Sequence, residues 1–213
     1  MDALRLRHAR AGISPMKGRP HMKNFIRLGS AALLLSGHFV LAQGQERFYV
    51  GVSAGASDID DKITTGLISS GAVDGKDSGT KIFGGYRFGP RLGLELAYVD
   101  LGKLSYSGDF MGAAVTGGKV KVSGFNTSLI AMHQATPQLA LFAKAGLYAW
   151  EAKASDVTAG VPFSAKDDGA DLSFGIGADY YFAKNIGARI EWEHFELDPG
   201  KASLLSAGLV VKF

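Results

Sequence analysis

The clearest structural pattern in the chain lies between Thr80 and Gly102, TKIFGGYRFGPRLGLELAYVDLG. Residues alternate in type on both sides of its Gly-Pro-Arg turn, a period of two that is typical of a β-hairpin. After the turn, one face carries Leu92, Leu94, Leu96 and Tyr98. The other carries Gly93, Glu95, Ala97 and Val99. A membrane barrel turns such an apolar face to lipid and holds charged residues inside, whereas a soluble sheet buries its apolar face in a core.

The alternation recurs along the chain, in residues 47–57, 119–134, 138–153 and 203–213. The hairpin itself returns, because DYYFAKNIGARIEWEHF from Asp179 aligns without gaps with GYRFGPRLGLELAYVDL from Gly85. This second copy places Arg189 at the position of Glu95. The pattern amounts to eight strands with tight turns near Gly89, Thr136 and Lys184. It predicts an all-β fold, an eight-stranded antiparallel up-and-down transmembrane β-barrel.

The connections at the other end are predicted to be polar loops, over residues 58–79, 103–118, 154–169 and 196–202. Short turns opposite long loops are typical of an outer-membrane barrel, with the turns in the periplasm. Aromatic residues fall near strand ends on the apolar face, as in interfacial girdles: Tyr86, Phe88, Tyr98, Tyr180, Phe182, Trp192 and Phe213. In the fourth strand, Val120 and Val122 are out of phase with Phe125, which predicts a bulge near Gly124.

Residues 1–42 are predicted to be a leader and a cleavable signal peptide, so that the barrel preceded by this signal occupies residues 43–213. Lys23 and Arg27 form a positive segment, and residues 28–42 carry no formal charge. This run of 15 residues is shorter than the roughly 20 that a spanning helix needs, and it ends in a small-residue cleavage site. We expect translation to begin at Met22 or Met16 and export to follow the Sec pathway to the outer membrane.

The charge balance argues against a nucleic-acid partner. Seven of the 23 Lys and Arg residues and one of the 20 Asp and Glu residues precede Gln43. The predicted mature chain therefore has 16 basic and 19 acidic residues. Nucleic-acid binding loses its main support, because the basic excess belongs to the leader. The sequence has no cysteine, which excludes disulfides, cysteine metal sites and thiol nucleophiles.

The inward positions of the predicted strands include many charged residues: Arg87, Glu95, Lys144, Asp179, Arg189, Glu191 and Glu193. Eight strands enclose a space just wide enough for side chains to fill. Buried charges must therefore pair with one another or with trapped water. Two functions fit this interior charge network: a polar plug of ion pairs, or a gated pathway for small ions.

Three segments carry a family resemblance: GYRFGPRLGLELAYVDLG, LFAKAGLYAWE from Leu141, and the ending SAGLVVKF. They resemble the transmembrane domain of the OmpA family over nearly all of residues 43–213. The resemblance implies that Gly208 and Phe213 belong to the signal by which such barrels are recognised for insertion. It implies as partners outer-membrane lipid and lipopolysaccharide, periplasmic chaperones and the barrel-assembly machinery, with a monomer as the unit. We expect no cell-wall tethering, because the sequence stops at Phe213.

Enzymatic chemistry has weak support in the sequence. Lipid A deacylases of similar architecture keep a His-x-Ser pair on a late strand, whereas Glu196 follows His194 here. A hydroxyl nucleophile needs an oriented base beside it. The acidic run at Asp58 lacks the glycine that an EF-hand calcium loop requires at its sixth position. We expect no catalytic residue, cofactor or metal, and a structural or surface-interaction role, with a narrow gated pore as the alternative.

Overall fold

The computed structural model describes residues 47–60, 69–158, 160–198 and 200–213, with Phe110 described by its backbone alone. The predicted leader and signal peptide, residues 1–42, lie outside these described residues. No helix in the described part of the chain is long and apolar enough to cross a membrane.

The fold is a closed antiparallel barrel, as the alternation predicts. Its strands are β1 (Phe48–Ile59), β2 (Ser70–Asp74), β3 (Lys76–Arg87), β4 (Leu92–Phe110), β5 (Ala113–Gln134), β6 (Leu139–Thr158), β7 (Val161–Tyr181), β8 (Ile186–Leu197) and β9 (Gly200–Lys212). Around the barrel, β1 pairs with β3, β3 pairs with β4, and each strand from β4 to β8 pairs with the next one along the chain. Strand β9 then pairs with β1 and closes the barrel. Strands β2 and β3 both pair with β4 and are separated by Gly75 alone. They form one wall element, so the barrel has eight strands and the predicted fold class is confirmed.

The outer surface is an apolar band between two aromatic girdles. Exposed Val, Leu and Ile side chains cover the wall, including Val52, Leu96 and Leu209. The lower girdle, at the end with the tight turns, consists of Phe48, Tyr86, Phe88, Tyr180, Phe182 and Phe213. The upper girdle consists of Tyr98, Phe125, Phe174 and Trp192. An outward apolar band edged by aromatic rings is what a lipid environment selects.

Two of the predicted polar loops are wrong, because β4 to β7 continue through them. The predicted loops at 58–79 and 196–202 are wrong in part, because β2, the start of β3, the end of β8 and the start of β9 fall within them. Strands β4 to β7 have 19 to 22 residues, whereas β1, β3, β8 and β9 have 12 or 13. The described residues of 103–118 and 154–169 are strand except for turns at 111–112 and at Gly160, and Gly112 and Gly160 have positive φ. Register shifts between Asp100 and Lys103 and between Thr116 and Lys119 break the alternation, which made these extensions resemble loops.

The predicted bulge near Gly124 is also wrong. Gly124 pairs regularly with Val99 on β4 and with Trp150 on β6. Val120 and Val122 are fully buried and point into the barrel, together with Leu101. Beyond the upper girdle the wall leaves the apolar band, and the apolar side chains of the extension turn inward while the polar ones turn outward. The phase of these valines therefore follows the regular period of the strand.

Inward-facing glycines make room for aromatic rings on the neighbouring strand. Such cross-strand pairs include Tyr49–Gly85, Phe83–Gly51, Phe142–Gly177, Tyr106–Gly118, Trp150–Gly169 and Tyr181–Gly187. A Cβ atom on Gly85 would overlap the Tyr49 ring, and one on Gly51 would overlap Phe83. Alternating large and small residues fill a narrow barrel at high density. This packing accounts for part of the high glycine content of the sequence.

Candidate functional site

Seven charged side chains meet inside the barrel, and each is at most 5% exposed. This charged layer consists of Lys81 (β3), Glu95 (β4), Lys144 (β6), Asp179 (β7) and Arg189, Glu191 and Glu193 (β8). Strand β8 contributes three members because alternate residues of a strand share one face. The remaining members occupy inward positions at the same height on strands around the ring, so their side chains converge in the lumen.

Arg189 holds the lower side of the charged layer. Its Nε and Nη2 atoms donate to the two carboxylate oxygens of Asp179, at 2.7 and 2.9 Å, from directly across the β7–β8 pair. Its Nη1 atom donates to Glu95 Oε2 at 2.7 Å. The guanidinium lies 4.4 Å from the ring centroids of both Phe83 and Phe142. Bidentate ion pairing and aromatic contacts together fix the orientation of this side chain.

Two lysines share three glutamates above Arg189. Lys144 Nζ lies 3.0 Å from Glu95 Oε1, 2.6 Å from Glu191 Oε1 and 2.5 Å from Glu193 Oε1. Lys81 Nζ contacts Glu191 and lies 2.7 Å from Glu193 Oε2 and 3.8 Å from Glu95 Oε1. Each ammonium group therefore reaches all three carboxylates. Such multiple pairing offsets the cost of removing these charges from water.

Neutral groups complete the hydrogen bonding of the charged layer. The Tyr49 hydroxyl donates to Glu95 Oε2 at 3.0 Å, and Asn126 Nδ2 donates to Glu193 Oε1 at 3.4 Å. Ser128 and Ser173 in turn donate to the Asn126 carbonyl oxygen, at 3.2 and 2.8 Å. Asn126 is thus held with its amide group directed at the carboxylate. The charged layer has a defined geometry rather than a set of interchangeable surface contacts.

Apolar side chains bound the charged layer on both sides along the barrel axis. On the side of the long strand extensions, Val99, Tyr148, Phe195 and Leu204 are completely buried. The rings of Tyr148 and Phe195 lie 4.7 Å apart between centroids. On the side of the tight turns lie Ile130, Met132, Phe142, Tyr181 and Val210, all 8% exposed or less. We call these the upper and lower apolar layers.

The structure brings together most of the residues singled out in the sequence. Glu95, Lys144, Asp179, Arg189 and Glu191 all belong to the charged layer, with Glu193 beside them. Arg87 lies apart, nearer the tight turns, where its Nη2 atom donates to the Tyr181 hydroxyl at 3.2 Å. Lys81 was missed by the sequence analysis. The signal for it existed, because Lys81 shares the alternation of Arg87 on the same strand.

Gly208 and Phe213, the residues implied in insertion, lie where the barrel closes. Gly208 is opposite Ser53 on β1 and Arg189 on β8, and a Cβ atom there would overlap the Val52 carbonyl. Phe213 exchanges two backbone hydrogen bonds with Phe48, at 3.1 and 2.9 Å. Both residues therefore stabilise the pairing of β1 with β9. Their part in recognition by the insertion machinery stays a prediction.

His194 lies on the outer wall beside the upper girdle. Its ring centroid is 4.8 Å from that of Phe174 and 6.1 Å from that of Trp192, and Nε2 is 3.3 Å from Glu196 Oε1. Aromatic rings pack against this imidazole, and Ser203 lies opposite His194 across the β8–β9 pair. Within the described ranges, no group of three or more His, Asp or Glu residues is arranged to hold a metal ion. Asp61, the end of the acidic run at Asp58, lies outside those ranges.

A closed eight-stranded barrel with a lipid-facing wall, two girdles and an ion-paired lumen defines an outer-membrane β-barrel protein. The model of the OmpA-like transmembrane domain matches residues 43–202. The chain belongs to this family, and it is a protein of the outer membrane.

Relatives at the sequence level are outer membrane protein A from Shigella flexneri and from Salmonella typhi. They are 28% and 29% identical to this chain over 167 residues, which is 76% of the chain in both cases. The chain spans about half the length of these relatives, 46% and 45%.

Solved structures show the same fold. The attachment invasion locus protein Ail of Yersinia pestis has a TM-score of 0.55 at 15% identity, covering 79% of this chain and all of Ail. Neisserial surface protein A has a TM-score of 0.54 at 17% identity, covering 78% and 97%.

Proposed function

We propose that this protein is a non-enzymatic outer-membrane barrel with a structural role, which also presents its long strand extensions at the cell surface for contacts. One observation carries the proposal: the charged layer is internally paired and lies between two apolar layers. An ion entering the lumen would have to displace buried rings such as Tyr148 and Phe195. It would then meet carboxylates that already bind lysine or arginine. Both steps oppose conduction.

The role at the surface is supported by the shape of the barrel and by a relative. Strands β4 to β7 continue beyond the upper girdle with polar side chains outward, which gives a rigid surface for contacts. The Ail structure belongs to a protein named for attachment and invasion. A contact role is the function that such an extension fits, because rigid strands hold side chains in place at little entropic cost.

A narrow gated pore is the second candidate, and a specific observation favours it. Lys81 and Lys144 each lie within 4 Å of the same three glutamates. Ion pairs with shared partners can exchange without leaving an unpaired charge at any stage. A rearrangement of this kind would open a polar path through the charged layer if the apolar layers also moved.

Removal of the gene distinguishes the two candidate functions, because they predict different changes in the permeability of the outer membrane. A structural barrel predicts a weakened outer membrane, with faster entry of a hydrophobic fluorescent dye and more released vesicles. A pore predicts slower uptake of small hydrophilic solutes and an unchanged barrier to the dye. Complementation with the wild-type gene and with an Arg91→Gln control, altered only in an exposed turn, should restore the barrier. Slower solute uptake with an intact barrier would contradict the structural role.

The non-enzymatic part of the proposal has its own test. Lipid A is the substrate that a membrane-embedded barrel enzyme meets, and its mass reports acylation changes directly. We expect the lipid A mass spectrum to stay unchanged when the protein is overproduced, and to be the same for wild type and His194→Ala. A new lipid A species that disappears in the His194→Ala strain would contradict the proposal.

The proposal includes the route to the membrane. Sec export, escort by periplasmic chaperones, insertion by the barrel-assembly machinery and a monomeric final state all follow from the resemblance to OmpA-type barrels. The β1–β9 junction supports insertion through the last strand, because Phe213 and Phe48 are bonded there. We expect Phe213→Ala to lower the folded fraction in cells, measured by heat-modifiable gel migration. Wild-type levels of folded protein would contradict a role for Phe213.

A further inference from the structure

Four lysines lie side by side on the outer wall, one on each of β4, β5, β6 and β7. The strand register pairs Lys103 with Lys121, Lys121 with Lys153, and Lys153 with Lys166. We call these residues the lysine row. Neighbouring strands are about 4.8 Å apart, so the row extends about 14 Å across the wall. All four side chains are exposed, and Lys119 flanks the row on β5. Like charges placed directly opposite one another destabilise a sheet.

Acidic neighbours neutralise the lysine row only in part. Asp100 Oδ2 lies 2.7 Å from Lys121 Nζ, and Glu151 pairs with both Lys153 and Lys166. These bonds raise the pKa values of Lys121 and Lys166, so both stay cationic at neutral pH.

The other end of the row keeps an excess of positive charge. Among the described residues, no carboxylate oxygen lies within salt-bridge distance of the ammonium groups of Lys103 or Lys119. The nearby Asp77 carboxylate accepts a hydrogen bond from the backbone N–H of Lys103, at 2.7 Å. The excess is therefore concentrated on β4 and β5.

The position of the row on the wall identifies what surrounds it. Tyr98 and Phe125 of the upper girdle face each other across β4 and β5, with ring centroids 5.3 Å apart. Along β5 the next outward positions after Phe125 are Ser123 and Lys121. Four residues of a tilted strand rise about 10 Å. Lysine side chains bend back toward the membrane by several ångströms. Their ammonium groups thus lie at the depth of the lipid headgroups.

We propose that the lysine row binds the phosphate groups of an outer-leaflet lipid headgroup of the lipid A type. Lysine binds phosphate as a compact point charge, and a row of cations suits a headgroup with more than one phosphate. The phosphate groups of the bound lipid would also offset the repulsion between the opposed lysines. The proposal goes beyond the function proposed above, because it holds whether the lumen is closed or conducts.

The test compares two double variants of equal charge change. In detergent micelles, folded protein is titrated with diphosphoryl lipid A, and the bound fraction is measured by native mass spectrometry. Lys103→Gln/Lys119→Gln leaves no carboxylate unpaired, and we expect it to weaken binding about tenfold. The control is Arg91→Gln/Lys184→Gln, in two exposed tight turns at the opposite end of the barrel, and we expect it to bind like wild type. Heat-modifiable migration identifies folded samples, and Lys103→Gln alone replaces a double variant that does not fold.

Three further arms identify the ligand. Dephosphorylated lipid A should bind wild type and the lysine variant equally weakly, and millimolar inorganic phosphate should leave lipid A binding unchanged. Sucrose octasulfate, a soluble polyanion, should compete weakly. Equal binding of lipid A by wild type and Lys103→Gln/Lys119→Gln would overturn the proposal. It would also be overturned by equal affinity for dephosphorylated lipid A, by displacement with inorganic phosphate, or by tighter binding of sucrose octasulfate than of lipid A.

Discussion

At the scale of single residues, the charged layer depends most on Arg189. This side chain supplies both hydrogen bonds to Asp179 and one to Glu95, and it is 2% exposed. When Arg189 is removed, Glu95 still accepts hydrogen bonds from Lys144 and Tyr49, whereas Asp179 is left without its positively charged partner. Breaking a buried pair by deleting one partner leaves an uncompensated charge, which is far more costly than losing a surface ion pair.

We expect Arg189→Leu to lower the free energy of unfolding by about 3 to 5 kcal/mol. Urea unfolding in lipid vesicles, followed through the fluorescence of Trp150 and Trp192, measures the change. Arg91→Leu, the same substitution in an exposed turn, should change stability by less than about 0.5 kcal/mol. Equal stability of the two variants would show that the layer contributes nothing to folding.

Substitution of two adjacent glycines on β3 tests how tightly the lumen is packed. Gly85 points inward against the Tyr49 ring, whereas a Cβ atom on Gly84 would find its nearest neighbours at 3.7 Å. We expect Gly85→Ala to destabilise the barrel by about 1 to 3 kcal/mol. Gly84→Ala should be neutral or stabilise by up to about 1 kcal/mol, since alanine restricts the unfolded chain. The same urea titration decides, and a destabilisation of similar size at both positions would argue against a packing role.

At the scale of elements, the extensions of β4 to β7 are the feature that was wrongly predicted from the sequence. Their outward residues are Lys, Ser and Asp, as in loops, while their inward residues, such as Leu104 and Tyr106, are buried. The bulges between Asp100 and Lys103 and between Thr116 and Lys119 shift the alternation midway. A pattern of period two cannot be followed across such shifts without knowing where they fall.

Protease digestion of intact cells distinguishes strands from loops here. We expect trypsin to cut the wild-type extension slowly, although Lys103, Lys119, Lys121, Lys153 and Lys166 are exposed there, because paired strands resist cleavage. Leu104→Asp places a charge in the apolar interior and should speed cleavage at least about tenfold. Ser105→Asp, on the neighbouring outward position, should leave the rate unchanged. Rapid cleavage of wild type would mean that these segments are mobile loops.

At the scale of the whole molecule, the sequence predicted the ring of strands but not the order of layers inside it. Alternation identified the inward residues, and the repeated hairpin placed Arg189 and Glu95 on the same inner surface, where the structure pairs them. Alternation carries no information on height along the barrel axis. Arg87 was therefore grouped with the charged layer, although it lies near Tyr181 at the lower end. The apolar layers were missed for the same reason, because Val99 shares the inward face of Glu95 and only its height separates it from the charged layer.

We infer that the lumen is closed by a paired charged layer between two apolar layers. Current recording of the purified, folded protein in planar lipid bilayers tests this claim most directly. We predict that wild type gives no steady single-channel openings, and that Phe195→Ala/Leu204→Ala, which thins the upper apolar layer, gives more leakage than Ser203→Ala on the outer wall. Regular openings of the wild-type protein that disappear in Glu95→Gln or Arg189→Gln would contradict the claim and establish a pore.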